Sequence, residues 1–390
     1  MNWPVNGVKT ELEYFSTLGI VFSTNYDLAL DNMWKTICTK IKNRIPLMVN
    51  RNFTLYQRAV LVNCLIASKV WYVSHIYPLP IKYIIQINKE IFYFIWGSGA
   101  NPIKREVLYN NKCNGGIGLV NIYLKSKSIL ASTIIRSFLM SESNELIRYF
   151  MFHRVGYLFN VTRAPIERSN VNTPYYENIV DIIKKCKDHK KFPLIKSKLI
   201  YELLMPRCQP AIELMYPAYD WGNIWQNLNL KFINVITRNV MFKLIHEILP
   251  NNKRLHQIRV KDSPNCDHCT NNEDSNIHRF YYCHKVQDCI GLVKKIIYYL
   301  CGIQTNSLLR MLYLDVPKIE VKNKNCLCIV ISTYIATVWL YRDKIDDIKY
   351  IFRSNIIKTQ RLHMRLFGRK ASGLFPENYC NLDRMVLNGM

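Results

Sequence analysis

The sequence predicts a mainly α-helical protein: a helical bundle followed by a helical domain that carries a small CCHC knuckle. Three observations predict it. Apolar residues recur at three- and four-residue steps, helix start and stop signals punctuate those runs, and CDHCTNNEDSNIHRFYYC (Cys266–Cys283) crowds three thiols and an imidazole into one loop as C-x2-C-x8-H-x4-C.

The elements follow in order. Leu30, Met33, Trp34, Ile37, Ile41 and Ile45 mark one face of a first helix. Thr54-Leu-Tyr-Gln57 has the form of a capping box, opening a helix expected to run to about His75, and the Pro-Leu-Pro of residues 78–80 stops it. A third helix is expected from Ile81 to Trp96, ended by Gly97. NGGIGLVNI (Asn114–Ile122) is a glycine-rich turn leading into a helix that reaches about Met140. Gly115, Gly116 and Gly118 could cradle phosphate, but no strand precedes them, so a turn packed on neighbouring helices is the better reading. NVTRAPIERSNVNTPY (160–175) reads as a polar loop, and its NVT as a glycosylation match without meaning unless the chain is secreted. Helical patterns resume over 176–187 and 194–205, and two aromatic-rich helices then lead from Trp221 into the cysteine loop.

Composition narrows the function. The 390 residues can bury a sizeable core, and 49% apolar content excludes wholesale disorder. A formal charge of +25 favours a polyanionic partner, with nucleic acid ahead of acidic membrane surfaces, although a sequence so rich in Ile, Lys, Asn and Tyr owes part of that charge to base composition. Thirteen cysteines without a regular framework, and no apolar leader in MNWPVNGVKTELEYF, point to a reducing nuclear or cytoplasmic setting, where clustered Cys and His mean metal before disulfide. No membrane span is expected. Ala59–Ile81 is interrupted by Lys69, Pro78 and Pro80; Asn325–Tyr341 is short of a full span, and both read as core helices.

Thiolates and a neutral imidazole are ligands that Zn²⁺ prefers. Four of them close a structural site with no position left for reactive water. Cys266, Cys269, His278 and Cys283 are the candidate ligands; His268, His284 and Cys289 lie close enough to substitute, and a set of buried free thiols is the alternative. Phe280 and Tyr281 are placed to anchor the loop on the core.

Taken together, these stretches resemble the C-terminal part of a non-LTR (LINE-type) retrotransposon reverse transcriptase. YFSTLGIVFS (Tyr14–Ser23) is similar to the segment that follows the palm. Leu55–Pro80 resembles the thumb helix, and Ile85–Gly97 the next helix with its Phe94-Ile95-Trp96 ending. NGGIGLVNI matches the glycine-rich turn, Trp225–Leu255 with the cysteine loop resembles the reverse transcriptase zinc-binding domain, and ATVWLYRDK (Ala336–Lys344) resembles the final helix with its Trp339–Arg342 step. The resemblance implies a thumb-like region with the glycine turn over 1–140, a helical connector over 141–215, the zinc-binding domain over 216–300, C-terminal helices over 301–350 and a basic tail over 351–390.

The family's RNA-directed DNA polymerase activity requires palm carboxylates, including a Tyr-x-Asp-Asp hairpin, to hold two Mg²⁺ ions. Asp346-Asp347 is the sole Asp-Asp pair here and lies in a helical pattern, so no catalytic residue is assigned, Mg²⁺ is not expected, and the chain is expected to be inactive alone. Asp315 with Glu320-Val-Lys322 copies the letters of a restriction-like nuclease at too short a spacing. What the resemblance leaves is a grip on RNA or DNA, including an RNA–DNA duplex, with a complete reverse transcriptase as a conceivable partner. The candidate phosphate contacts are Arg58, Lys69, Lys104, Arg105, Lys125, Lys127, Lys358, Arg361, Arg365 and Arg369. The last four are spaced as one helix face, in a tail with seven basic and two acidic residues from 351 onward. Two alternatives stand beside this: a co-opted, zinc-stabilised protein-interaction module, and a translated remnant of a transposable element without function.

Overall fold

The computed structural model describes residues 14–49, 51–139, 174–187, 196–304, 308–316 and 319–387. The chain is mainly α-helical and divides into two compact units. One comprises residues 1–53, 57–101 and 119–207, the other 54–56, 102–118 and 208–390. The glycines of the turn, expected within the first region, thus fall in the second unit, while residues 119–122 stay in the first.

Among the described residues the first unit begins with a hairpin that helical periodicity did not show. Strands β1 (Tyr14–Thr17) and β2 (Ile20–Ser23) pair antiparallel through a two-residue loop, Leu18-Gly19, with φ of 49° and 76°. Positive φ at both loop positions matches the twist of the flanking strands, and glycine supplies one of them without strain. Helix α1 (Tyr26–Arg44) is capped by Asn25, whose Oδ1 accepts the Leu28 N–H at 3.2 Å, and buries Met33, Trp34, Ile37 and Ile41 as expected. The second expected helix is broken into α2 (Leu55–Leu61), a π-helical turn (Val62–Ile66) and α3 (Ser68–Val73). The widened turn lets Asn63 accept the Val120 N–H at 2.9 Å. Helix α4 (Ile81–Trp96) ends as expected at Gly97, whose φ of +71° and N–H bond to the Tyr93 carbonyl close it. Among the described residues the unit also holds a short helical turn (Pro46–Val49) and helices α5 (Ile122–Leu139), α6 (Pro174–Lys187) and α7 (Ser197–Leu204). Residues 160–173 of the expected polar loop, with its NVT, lie outside the described residues.

The second unit is built around α8 (Val321–Leu340), in which every residue from Asn325 to Trp339 is buried. A helix that is apolar all round needs neighbours all round. They are α9 (Val235–Ile245), α10 (Gln287–Cys301) and α11 (Ile348–Phe367). This is why the apolar run beginning at Asn325 is a core helix; no helix among the described residues is long and apolar enough to cross a membrane.

The basic tail is not a tail. Helix α11 continues without a break from 351 to Phe367, and the chain beyond it returns onto the same core. The buried His363 hydrogen-bonds the Tyr379 hydroxyl through Nδ1 (2.7 Å) and the Phe232 carbonyl through Nε2 (2.9 Å), while Gln360 donates to the Cys380 carbonyl at 2.8 Å. Gly368, at φ +47°, follows Phe367, so Arg369 leaves the helix and does not share the face of Lys358, Arg361 and Arg365.

Candidate metal centre and basic surface

Three short helices, each with its own N-cap, bring the chain to the cysteine loop. Asp220 accepts the Asn223 N–H (3.0 Å), Asn234 the Thr237 N–H (2.8 Å) and Asn251 the Arg254 N–H (2.9 Å). The loop is then folded by its own polar groups. Cys266 N–H bonds the Asn272 carbonyl and Asn272 N–H the Cys269 carbonyl, at 2.8 and 3.0 Å, closing the knuckle. The Asn252 side chain donates to the Asn265 carbonyl at 2.7 Å, and its backbone N–H donates to Asp274, a buried carboxylate.

His278 and Cys283 come together because His278–Tyr282 is a π-helical turn, with the Cys283 N–H bonded to the His278 carbonyl at 2.8 Å. In an α-helix, side chains five positions apart diverge by about 140°. Hydrogen bonding from i to i+5 widens the turn and sets the two nearly above one another. Phe280 points the other way into the core, and its carbonyl accepts the Tyr334 hydroxyl of α8 at 2.8 Å. Tyr281, also expected as an anchor, is half-buried.

The ligand atoms of Cys266, Cys269, His278 and Cys283 lie within 4.8 Å of one another and could hold a metal ion. The Cys283 sulfur is 4.0 Å from that of Cys266 and 3.7 Å from that of Cys269, against about 3.8 Å between thiolates on one tetrahedral zinc. His278 Nε2 is buried without a hydrogen-bond partner, and burial lowers the imidazole pKa, holding the neutral, metal-ready form. Burial likewise pushes the Cys283 thiol up to about 12, so a thiolate there needs a cation beside it. These residues fit a soft divalent ion. Of the other nearby candidates, His284 sits outside the four, its Nδ1 at 3.1 Å from the Cys269 sulfur, the place of an outer-sphere partner. His268 is exposed and Cys289 is fully buried on α10; neither joins the cluster.

The glycine turn cannot cradle phosphate. The N–H groups of Gly115, Gly116, Ile117 and Gly118 are all bonded to carbonyls of residues 108–112. A side chain at Gly115 would meet Pro210 and Trp225 at 2.9 Å, and one at Gly116 would run into the Asn110 carbonyl.

The basic candidates separate into structural and exposed groups. Arg58 donates to the carbonyls of Phe53 (3.2 Å), Phe94 (2.8 Å) and Ile95 (3.2 Å), so it ties the end of α4. Lys125 is half-buried against Tyr201 and bonds Ser197 at 3.3 Å, and Lys127 lies 4.4 Å over the Tyr123 ring. Lys69 is half-buried. Lys104, Arg105, Lys358, Arg361, Arg365 and Arg369 are exposed, with Arg361 3.6 Å from Asp383.

The Asp346-Asp347 pair closes a 3-10 turn, and Asp346 pairs with Lys285 at 2.7 Å. Asp315 is held by Arg310, while Glu320 precedes α8 without a side-chain capping bond. No protein-family model matches the chain, and no curated protein is similar to it.

Proposed function

We propose that the chain is a nucleic-acid-binding protein whose second unit is stabilised by a structural zinc ion, corresponding to the C-terminal, non-catalytic part of a LINE-type reverse transcriptase. The observation that carries the reading is the convergence of Cys266, Cys269, His278 and Cys283 within 4.8 Å, in a helical frame entered through the Trp221 helix. Bound zinc would neutralise the thiolates and cross-link the loop. Cys266 and Cys269 supply the knuckle, while His278 and Cys283 supply the helical side of the clasp. Four protein ligands leave no position for substrate, so the centre holds structure.

The formal charge of +25 supports phosphate as the partner. Exposed Lys104, Arg105 and Arg369 are the surface cations assigned to it. Such contacts neutralise backbone charge without reading bases, so RNA, DNA and their hybrid bind alike, in a salt-dependent manner.

The test is fluorescence anisotropy of the zinc-loaded chain on RNA–DNA hybrid and on DNA duplex across a salt series. A log–log slope of several units, shared by both duplexes, is expected. Affinity that ignores salt, or no binding at low salt, would defeat the reading.

A further inference from the structure

We propose that the second unit carries a docking groove for an acidic amphipathic helix of a protein partner. Two adjoining cavities of about 110 and 370 Å³ share Asn234, Thr237, Thr333, Thr359 and Leu362 in their walls, forming one groove between α8, α11 and the start of α9. Four aliphatic side chains stand half-exposed along it: Ile236 at 54%, Leu340 at 47%, Leu362 at 48% and Leu366 at 66%. Leu362 and Leu366 are one turn apart on α11, the spacing that receives knobs from a second helix.

Three hydroxyls of the floor are already satisfied. The hydroxyls of Ser332, Thr337 and Thr359 donate to the carbonyls of Ile329, Thr333 and Asn355 in their own helices. The groove therefore offers apolar contact, with directionality left to its charges. Those charges have one sign: Lys231 and Lys358 line it, and no Asp or Glu does. Arg365 is exposed on α11 beside Leu366, while Arg361, beside Leu362, is partly compensated by Asp383 at 3.6 Å. An occupant with leucine-like residues at i, i+4 and i+7 and carboxylates on its flanks satisfies both features. An added strand is not available to this unit, because the one two-stranded sheet among the described residues is the β1–β2 hairpin of the first unit. Nucleic acid is the poorer fit, since aliphatic side chains neither neutralise phosphate nor stack on bases.

The experiment uses the whole zinc-loaded chain and a labelled synthetic peptide with Leu at i, i+4 and i+7 and Glu on the remaining face. A scrambled peptide of the same composition, an RNA–DNA hybrid and phosphatidylserine vesicles are the other arms. The paired substitution Leu362→Ser and Leu366→Ser changes exposed positions, and its fold is checked by thermal melting. Saturable binding of the ordered peptide, weakened about tenfold or more by that pair while hybrid binding is unchanged, is expected. Equal binding of the scrambled peptide, or an affinity insensitive to the leucines, would overturn the proposal. So would a loss of hybrid or vesicle binding as large as the loss of peptide binding, which would assign the face to nucleic acid or lipid.

Discussion

His246 donates its Nε2–H to the carbonyl of Gly115 at 2.9 Å, tying the end of α9 to a turn that precedes it by 131 residues. The ring is half-buried, stacked 5.1 Å from Trp225 and tilted against Phe242 at 4.4 Å. Burial pushes its pKa down to about 4, so the folded protein keeps it neutral where an unfolded chain would protonate it.

The consequence is a pH dependence with a defined sign. Between about pH 6.5 and 4 the unfolded chain binds the extra proton, so stability present above 6.5 is lost as pH falls through about 4. The shift corresponds to about 3 kcal/mol. Denaturant unfolding across that range should show the decline, and His246→Phe should remove that share of it.

Gly116 should tolerate no side chain. Gly116→Ala drives a methyl into the Asn110 carbonyl and should cost about 1–3 kcal/mol. Gly118→Ala, with open space but φ of +70°, should cost about 1 kcal/mol through backbone strain alone. Paired chemical melts would reveal the order.

Cys266→Ser should release the metal and lower the melting temperature by roughly 10 °C, because binding and folding of such a loop are one equilibrium. Metal content by mass spectrometry, read beside the melt, checks it. Retention of one zinc per chain with unchanged melting would refute the assignment.

Asp274 and Arg279 form an ion pair, with Arg279 Nε 2.9 Å from Asp274 Oδ1 and the guanidinium 5.4 Å over Trp339. The Asp274 side chain is almost wholly buried, so Asp274→Ala leaves a cation uncompensated and should cost about 3–5 kcal/mol. The double replacement Asp274→Ala with Arg279→Met should cost less than the single one.

Arg58 and Lys104 separate folding from binding. Arg58→Ala breaks three carbonyl bonds and should cost about 1–3 kcal/mol without changing the salt slope on duplex. Lys104→Ala should leave stability unchanged and lower that slope by about one.

Local chemistry made much of this legible. The face of α1, the Gly97 stop of α4 and the ligand spacing of Cys266–Cys283 are short-range patterns, and the structure reproduces each. The Leu18-Gly19 hairpin was harder to see, because Leu18 holds a left-handed conformation that its side chain gives no reason to expect. The π-helical turns at Val62–Ile66 and His278–Tyr282 were equally hidden, since the extra residue is accommodated by partners elsewhere in the chain.

The sequence by itself determined that the chain is helical, that its charge is strongly positive and that four side chains able to hold a metal ion lie in one loop, because period, charge and spacing are properties of neighbours along the chain. Only the tertiary structure decided which cations remain in water. Arg58 and Lys125 look the same in sequence as Lys104 and Arg365, yet carbonyls and rings brought from distant elements occupy the first two. It also decided that the chain beyond 351 folds back on the core, because the partners of His363 lie 131 residues before it and 16 after it.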